Sequence, residues 1–133
     1  MVTLQSMSAG EKIEENRSRF LACGGPCGSA DCVDATLDGL VRAYRLGKAS
    51  QLSWAARFRA PDGRLIELRE DGGESGAAAC ILAAMQAVEA EGCLVLVARW
   101  YGGRHLGGMR FRIYRKLASE LLTNGASTPP ASR

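Results

Sequence analysis

An unbroken apolar run at residues 93–98, Cys-Leu-Val-Leu-Val-Ala, constrains the fold more than any other feature of this sequence. Gly92 precedes the run and the polar Arg99 follows it. A strand with one face in water alternates apolar and polar residues, whereas a strand buried on both faces is continuously apolar. The run therefore predicts the central strand of a sheet, and it is the best candidate for the core.

Other segments carry the periodicity of strands or helices. Apolar residues that recur every three or four positions indicate an amphipathic helix, and short apolar runs between turn residues indicate strands. Pro61 and Gly63 favour a turn between two such strands, because Pro fixes φ and Gly accepts positive φ. In chain order we predict a strand at 19–23, a helix from Ser29 to Gly47, hairpin strands at 52–58 and 64–68, a helix from Ala78 to Val88, and a helix at 109–122.

The length of 133 residues, 47% of them apolar, suits one domain with its own core. The element order predicts a single α+β domain over residues 13–122, in which helices pack against one sheet. We expect residues 1–12 to form a flexible N-terminus. Residues 123–133 are rich in Ser, Thr and Pro, which predicts a disordered tail.

Targeting and cysteine patterns favour a cytoplasmic protein. Residues 1–10 lack the basic cluster and apolar core of an export signal, and no apolar run approaches the roughly 18 residues of a membrane span. The five cysteines are odd in number and irregularly spaced, which favours reduced thiols. Cys23, Cys27 and Cys32 match no common zinc spacing, and His105 is distant in sequence. We expect neither a metal nor a cofactor.

Positive charge is concentrated in residues 92–119, which contain six basic residues and no acidic one. The net charge of the chain is +3, so the remainder carries −3. Such a basic face is suited to an acidic protein or to nucleic acid, and the alternative is a solvated helix surface. With the single histidine, the candidate partner-binding residues are Arg99, Arg104, His105, Arg110, Arg112, Arg115 and Lys116.

An acidic block at residues 71–74, Asp-Gly-Gly-Glu, precedes the second helix. Its spacing resembles a capping box, with Asp71 as the helix cap and Glu74 three residues later. Metal binding or acid–base catalysis by these carboxylates is the alternative. Ser75 also lies in a near match to the G-x-S-x-G nucleophile motif, but His105 as its base has no acidic partner downstream except Glu120. No complete catalytic constellation results, and we predict a binding protein and not an enzyme.

A glycine-rich loop joins the central strand to the last helix. It contains four glycines between residues 102 and 108. Such a loop can expose backbone N–H groups to an anion, with Arg104, His105 and Arg110 adding charge. Neither the dinucleotide nor the P-loop fingerprint is present. We favour the interpretation that the glycines permit a sharp turn from strand to helix, packed under Trp100 and Tyr101.

Three blocks of this sequence resemble the IMPACT-type family, the domain shared by eukaryotic IMPACT proteins and bacterial YigZ-like proteins. They lie at residues 17–22, 71–82 and 99–111, and the last is most similar to the eukaryotic branch. The second block departs from the family's usual Asp-Asp-Gly-Glu at Gly72, and Cys80 stands where the family has an Arg. The residues that carry the family motif are Asp71, Gly73, Glu74, Trp100, Tyr101, Gly102, Gly103, Gly107 and Phe111.

The resemblance implies an α+β fold with a mixed β-sheet and helices on one face, like the second domain of the ribosomal protein S-five superfamily. It also implies a translation regulator. The implied partner is a helical-repeat scaffold, which activates the starvation-responsive kinase of initiation factor two and for which the protein would compete. An alternative is an RNA- or ribosome-binding module that uses the basic stretch at residues 99–116.

Overall fold

The computed structural model describes residues 2–125. A short 3-10 turn, Ala30–Cys32, leads into the first helix. The strands and α-helices, in chain order, are β1 (Ser8–Ala9), β2 (Ile13–Glu15), β3 (Ser18–Pro26), α1 (Val33–Tyr44), β4 (Gln51–Arg59), β5 (Leu65–Glu70), α2 (Ala77–Ala87), β6 (Cys93–Trp100) and α3 (Met109–Asn124). Each element predicted from periodicity is present with shifted ends, and α3 continues two residues past Leu122.

All strands join one sheet in the order β1-β3-β6-β4-β5, and β2 pairs with β3 beside β1. The strand β6 lies at the centre between β3 and β4, which confirms the prediction made from its apolar run. The pairings of named strands are antiparallel, and a parallel bridge joins Val2 to Ala90. The α+β class is confirmed.

The two faces of β6 are covered by different helices. Cys93, Val95 and Val97 belong to a core cluster with α2 and α3, and the alternate residues from Leu94 to Ala98 belong to a second cluster with α1. The expectation that all helices pack on one face is therefore wrong, because α1 covers the opposite face. The physical reason is the apolar run itself, since a strand without polar positions needs a covering layer on each side.

The larger core lies between the sheet and the α2–α3 pair. Its largest fully buried side chain is Tyr114, whose ring contacts Phe20 edge to face with centroids 5.8 Å apart. Small residues on α2, such as Ala78 and Ala84, are fully covered and let α3 approach closely. Between residues 2 and 125, no helix is both long and apolar enough to cross a bilayer.

The N-terminal segment that we expected to be flexible is built into the fold. Leu4 is completely buried in the core with α2 and α3, and β1 pairs with β3 at the sheet edge. The sequence did not predict this, because isolated apolar residues and strands of two or three residues leave no periodic pattern. At the other end, residues 126–133 of the predicted tail lie outside the described part of the chain, while residues 123 and 124 complete α3.

Candidate functional site

The acidic block and the glycine-rich loop meet across a cavity of about 560 Å³, which we call the loop cavity. The start of β4, the turn before α2, the end of β6 and the first turn of α3 surround it. The polar side chains on its wall include Gln51, Glu74, Ser75, Arg99, His105 and Arg110. These residues are distant in sequence, and antiparallel pairing of β4 with β6 brings them together.

An almost completely buried ion pair closes one side of the loop cavity. The Nη1 atom of Arg99 lies 2.5 Å from Oε2 of Glu74, and the two residues are 4% and 8% exposed. Arg99 also donates from Nε and Nη2 to Oγ of Ser18, at 3.3 and 3.2 Å. The prediction that Arg99 belongs to an exposed basic face is therefore wrong. Its position at the end of the central strand directs the guanidinium into the protein, where Glu74 compensates its charge.

Glu74 accepts hydrogen bonds from Arg99 and Tyr114 and forms a longer ion pair with Arg110. The hydroxyl of Tyr114 donates to Oε1, and Nε of Arg110 lies 3.6 Å from Oε2, so one carboxylate faces two guanidinium groups. Tyr114 and Arg110 are four residues apart on α3 and so lie on the same helix face. Burial, followed by the hydrogen bond to the Glu74 carboxylate, raises the pKa of Tyr114 well above its ordinary value.

The side chain of Asp71 accepts hydrogen bonds at the start of α2, but the N-cap residue is Gly76 and the predicted capping box is not formed. The Asp71 carboxylate accepts from the backbone N–H groups of Gly76 and Ala78, at 3.2 and 2.9 Å. Glu74 does not reach back to Asp71, because its side chain is held in the loop cavity. Gly72 approaches β4 so closely that a Cβ atom would lie 1.9 Å from the carbonyl oxygen of Leu52. This contact fixes the acidic block against the sheet.

The structure places Ser75 and His105 on the same cavity wall without joining them. No hydrogen bond connects their side chains within residues 2–125, and the His105 ring instead lies 5.9 Å from the ring of Tyr101. Glu120, the remaining acid considered for a triad, lies 3.9 Å from Lys116 on α3. The described residues therefore do not arrange a nucleophile, base and acid in series.

The cysteines considered as zinc ligands do not form a metal site in the described part of the chain. No group of three or more His, Cys, Asp or Glu side chains converges there. Cys23 and Cys27 are buried and Cys32 is exposed. Burial raises the pKa of Cys23 to about 12, so its thiol stays protonated at neutral pH. Zinc binds the thiolate, and this environment disfavours it.

The remaining predicted basic residues divide by exposure. Arg110 is half-buried against Glu74, whereas Arg104 and His105 are exposed on the loop. Arg112, Arg115 and Lys116 are exposed on α3. We call Arg112, Arg115 and Lys116 the α3 basic face. With Cys80 and Phe111, they surround a shallow depression of about 390 Å³. Its floor is largely apolar because Cys80 and Phe111 are both partly exposed there.

A second basic surface lies on the side of the sheet that α1 covers. Lys12, Arg19, Arg45 and Lys48 surround the partly exposed ring of Trp100, and Nζ of Lys12 lies 4.9 Å from the ring centroid. Sequence reasoning missed this surface because its members come from four separate segments, and no linear spacing connects them. Trp100 packs against the core cluster on the α1 side of the sheet, and Tyr101 is 45% exposed.

The family-motif residues of the loop act mainly through the backbone. At Gly102 a Cβ atom would lie 1.9 Å from the carbonyl oxygen of Arg17, so the turn after β6 requires glycine. Gly103 and Gly107 adopt positive φ angles of 88° and 57°. The interpretation of the glycines as a sharp turn is supported at Gly102. Of the two aromatic residues expected to pack on the loop, Tyr101 lies beside the ring of His105, whereas Trp100 lies on the second basic surface.

Known proteins are similar to this chain over most of the described residues. Residues 16–122 match the model of a family described as the Impact N-terminal domain. The chain is 33% identical over 118 residues to a protein IMPACT homolog of Schizosaccharomyces pombe, covering 87% of this chain and 42% of that protein. It is 30% identical over 132 residues to protein IMPACT of Rattus norvegicus, covering 97% of this chain and 42% of that protein.

Two solved structures are similar in fold. A crystal structure described as that of a hypothetical protein has a TM-score of 0.79 at 21% identity, with 96% of this chain and 64% of that chain covered. The two-domain translational regulator Yih1 has a TM-score of 0.61 at 26% identity, with 91% of this chain and 47% of that chain covered. The chain spans less than half the length of the curated relatives named above.

Proposed function

The chain belongs to the family of the Impact N-terminal domain, and from that membership we propose that it regulates translation by binding a protein partner and not by catalysis. The similarity to Yih1, which is described as a two-domain translational regulator, supports this proposal. The site geometry agrees with a binding role, since Asp71 accepts backbone hydrogen bonds at the start of a helix and Glu74 is held by arginine and tyrosine side chains.

The observation that carries the proposal is the depression on the α3 basic face. An apolar floor with a rim of cations resembles the general anatomy of a protein interface, in which an apolar centre is surrounded by polar groups. Arg112 and Arg115 form no ion pair within residues 2–125, and Lys116 has only the 3.9 Å contact with Glu120. These charges are therefore available to an acidic partner.

The partner we propose is the one that the family resemblance implies, the helical-repeat scaffold that activates the starvation-responsive kinase of initiation factor two. Stacked helical repeats present extended surfaces, and an acidic stretch of such a surface would complement the α3 basic face. Occupying that stretch would exclude the kinase, so regulation would occur by competition. This function places the protein in the cytoplasm.

Affinity capture with the tagged chain tests the proposal. The variant Arg112→Glu/Arg115→Glu reverses two exposed charges on the α3 basic face. The matched control Lys12→Glu/Lys48→Glu makes the same change in net charge on the second basic surface. Captured proteins from native lysate, with and without RNase, are identified by mass spectrometry.

We expect the scaffold to be captured by the unmodified chain and by the control, with RNase present, and to be lost in the α3 variant. Retention of the scaffold by both variants would exclude the α3 basic face as its binding site. Loss in the control alone would move the interface to the second basic surface. If the chain recovers no scaffold at all, competition for it is excluded.

An RNA- or ribosome-binding role is the second candidate. The observation that favours it is the second basic surface, where cations surround an aromatic ring in the manner of single-strand nucleic-acid binders. Binding of a labelled single-stranded RNA to the purified chain at increasing salt tests this role. A steep loss of affinity with salt, removed by Lys12→Glu/Lys48→Glu, would support it, and the absence of binding would exclude it.

A further inference from the structure

The loop cavity carries an excess positive charge. Among the described residues on its wall, Arg99 and Arg110 are cations and Glu74 is the one acid. Arg99 is matched by Glu74 at 2.5 Å, whereas Nε of Arg110 is 3.6 Å from the same carboxylate oxygen. One guanidinium group is therefore only weakly compensated, and it faces a cavity that is open to solvent on one side.

Hydrogen-bond donors without acceptors lie beside this charge. The Arg110 side chain donates from Nη1 to the carbonyl of Gly107, and its Nη2 makes no hydrogen bond within residues 2–125. The backbone N–H groups of the lining residues His105, Leu106 and Gly107 also donate to no group in that range. Successive free N–H groups beside a guanidinium form an environment that favours an anion.

Gln51 adds an uncharged polar side chain to the same wall. The cavity volume of about 560 Å³ is also within the range of small-molecule sites and larger than a single anionic group requires.

We propose that the loop cavity binds a small organic anion, whose carboxylate or phosphate group contacts Arg110 and the backbone N–H groups of the glycine-rich loop. Glu74 and Arg99 hold Arg110 and the cavity wall in position. This site is separate from the depression on the α3 basic face, so it is a second binding function of the domain.

Titration of the purified chain by NMR tests the proposal. Sodium phosphate and sodium acetate are the two probes, each exchanged for sodium chloride at constant ionic strength. The readout is the set of amide resonances of residues 103–108 and the Nε–H resonance of Arg110. Arg110→Gln removes the proposed cation, and Gln51→Glu adds a repelling carboxylate to the same wall. Arg112→Gln, an exposed position on the same helix, is the matched control.

We expect saturable shifts confined to the loop and Arg110, with unchanged affinity in Arg112→Gln and affinity about tenfold or more weaker in Gln51→Glu and Arg110→Gln. Saturation by phosphate alone assigns a phosphate group, and saturation by acetate alone assigns a carboxylate. Saturation by neither probe overturns the proposal, as do shifts that both cavity variants retain. If Arg110→Gln does not fold, Gln51→Glu decides. The titration contains no partner protein, so its failure leaves the α3 basic face untouched.

Discussion

Arg99 and Glu74 form an ion pair that is almost completely removed from water, with Nη1 of the arginine 2.5 Å from Oε2 of the glutamate. Removing the arginine leaves a buried carboxylate with less compensation, which costs far more than losing an exposed pair. We expect Arg99→Met to lower the free energy of unfolding by about 3–5 kcal/mol. Urea unfolding of the purified variant and the unmodified chain measures the difference.

Two further variants separate charge from packing in that experiment. Adding Glu74→Gln to Arg99→Met removes the unpaired charge and should recover part of the loss. Lys116→Met removes a cation whose contact with Glu120 is exposed, and it should change the free energy by less than about 1 kcal/mol. If Arg99→Met unfolds at the same urea concentration as Lys116→Met, the buried pair does not stabilise the fold.

The contribution of Tyr114 to the free energy of unfolding depends on pH in the alkaline range. Burial and the hydrogen bond to Glu74 raise its pKa in the folded state above the unfolded value of about 10. The resulting stabilisation is complete below pH ~10 and declines as the pH rises above that value, because the unfolded chain ionises first. Tyr114→Phe should therefore cost about 1–2 kcal/mol at pH 8 and less at pH 11.

Urea unfolding at both pH values measures this difference between the unmodified chain and Tyr114→Phe. Comparing the two proteins cancels the shared contributions of buried thiols such as Cys93, whose pKa burial raises to about 11. Tyr101→Phe, on an exposed ring, is the control and should cost less than about 0.5 kcal/mol at pH 8. A cost at Tyr114 that is equal at pH 8 and pH 11 would contradict the argument.

The sequence predicts those elements whose residues lie close together in the chain. The apolar run of β6 and the Pro-Gly turn between β4 and β5 are local signals, and the structure confirms both. Periodicity does not say which face of a sheet a helix will cover. The run of β6 implies that both faces of the sheet are covered, but it does not say which helix covers each face. The structure places α1 on the face opposite α2 and α3.

In the candidate site, too, local features are predicted from the sequence and long-range contacts are not. The acidic block and the glycine-rich loop are recognisable in the sequence, but the pairing of Glu74 with Arg99 depends on strand register, which is a long-range property. Arg99 consequently looks like a surface charge from its sequence neighbours alone. The second basic surface around Trp100 has no sequence signal, since its charges are brought together only by folding.

Leu4 tests whether the N-terminal segment is part of the fold. Its side chain is completely buried in the core with α2 and α3, so Leu4→Ala would leave a cavity. Such truncations cost about 2–5 kcal/mol, and we expect a loss in that range by urea unfolding. Met7→Ala is the matched control, because Met7 is 48% exposed and its truncation should cost much less. An unfolding midpoint for Leu4→Ala equal to that of the unmodified chain would show that the Leu4 side chain does not stabilise the domain.

Substitution of Gly72 tests how closely the acidic block approaches the sheet. Its φ angle is +63°, and a Cβ atom there would lie 1.9 Å from the carbonyl oxygen of Leu52. Gly73 also has a positive φ, of +93°, but the nearest atom to its Cβ position is 3.8 Å away. Both alanine variants carry the strain of a left-handed residue, about 1–2 kcal/mol, and only Gly72→Ala must also displace backbone.

We therefore expect Gly72→Ala to lower the free energy of unfolding by about 3 kcal/mol or more, and Gly73→Ala by about 1–2 kcal/mol. Gly72→Asp, which introduces the residue usual in the family, should be at least as destabilising as Gly72→Ala, because its Cβ meets the same carbonyl. Urea unfolding of the three variants gives the order. If Gly72→Asp is as stable as the unmodified chain, the acidic block lies farther from β4 than the 1.9 Å approach implies.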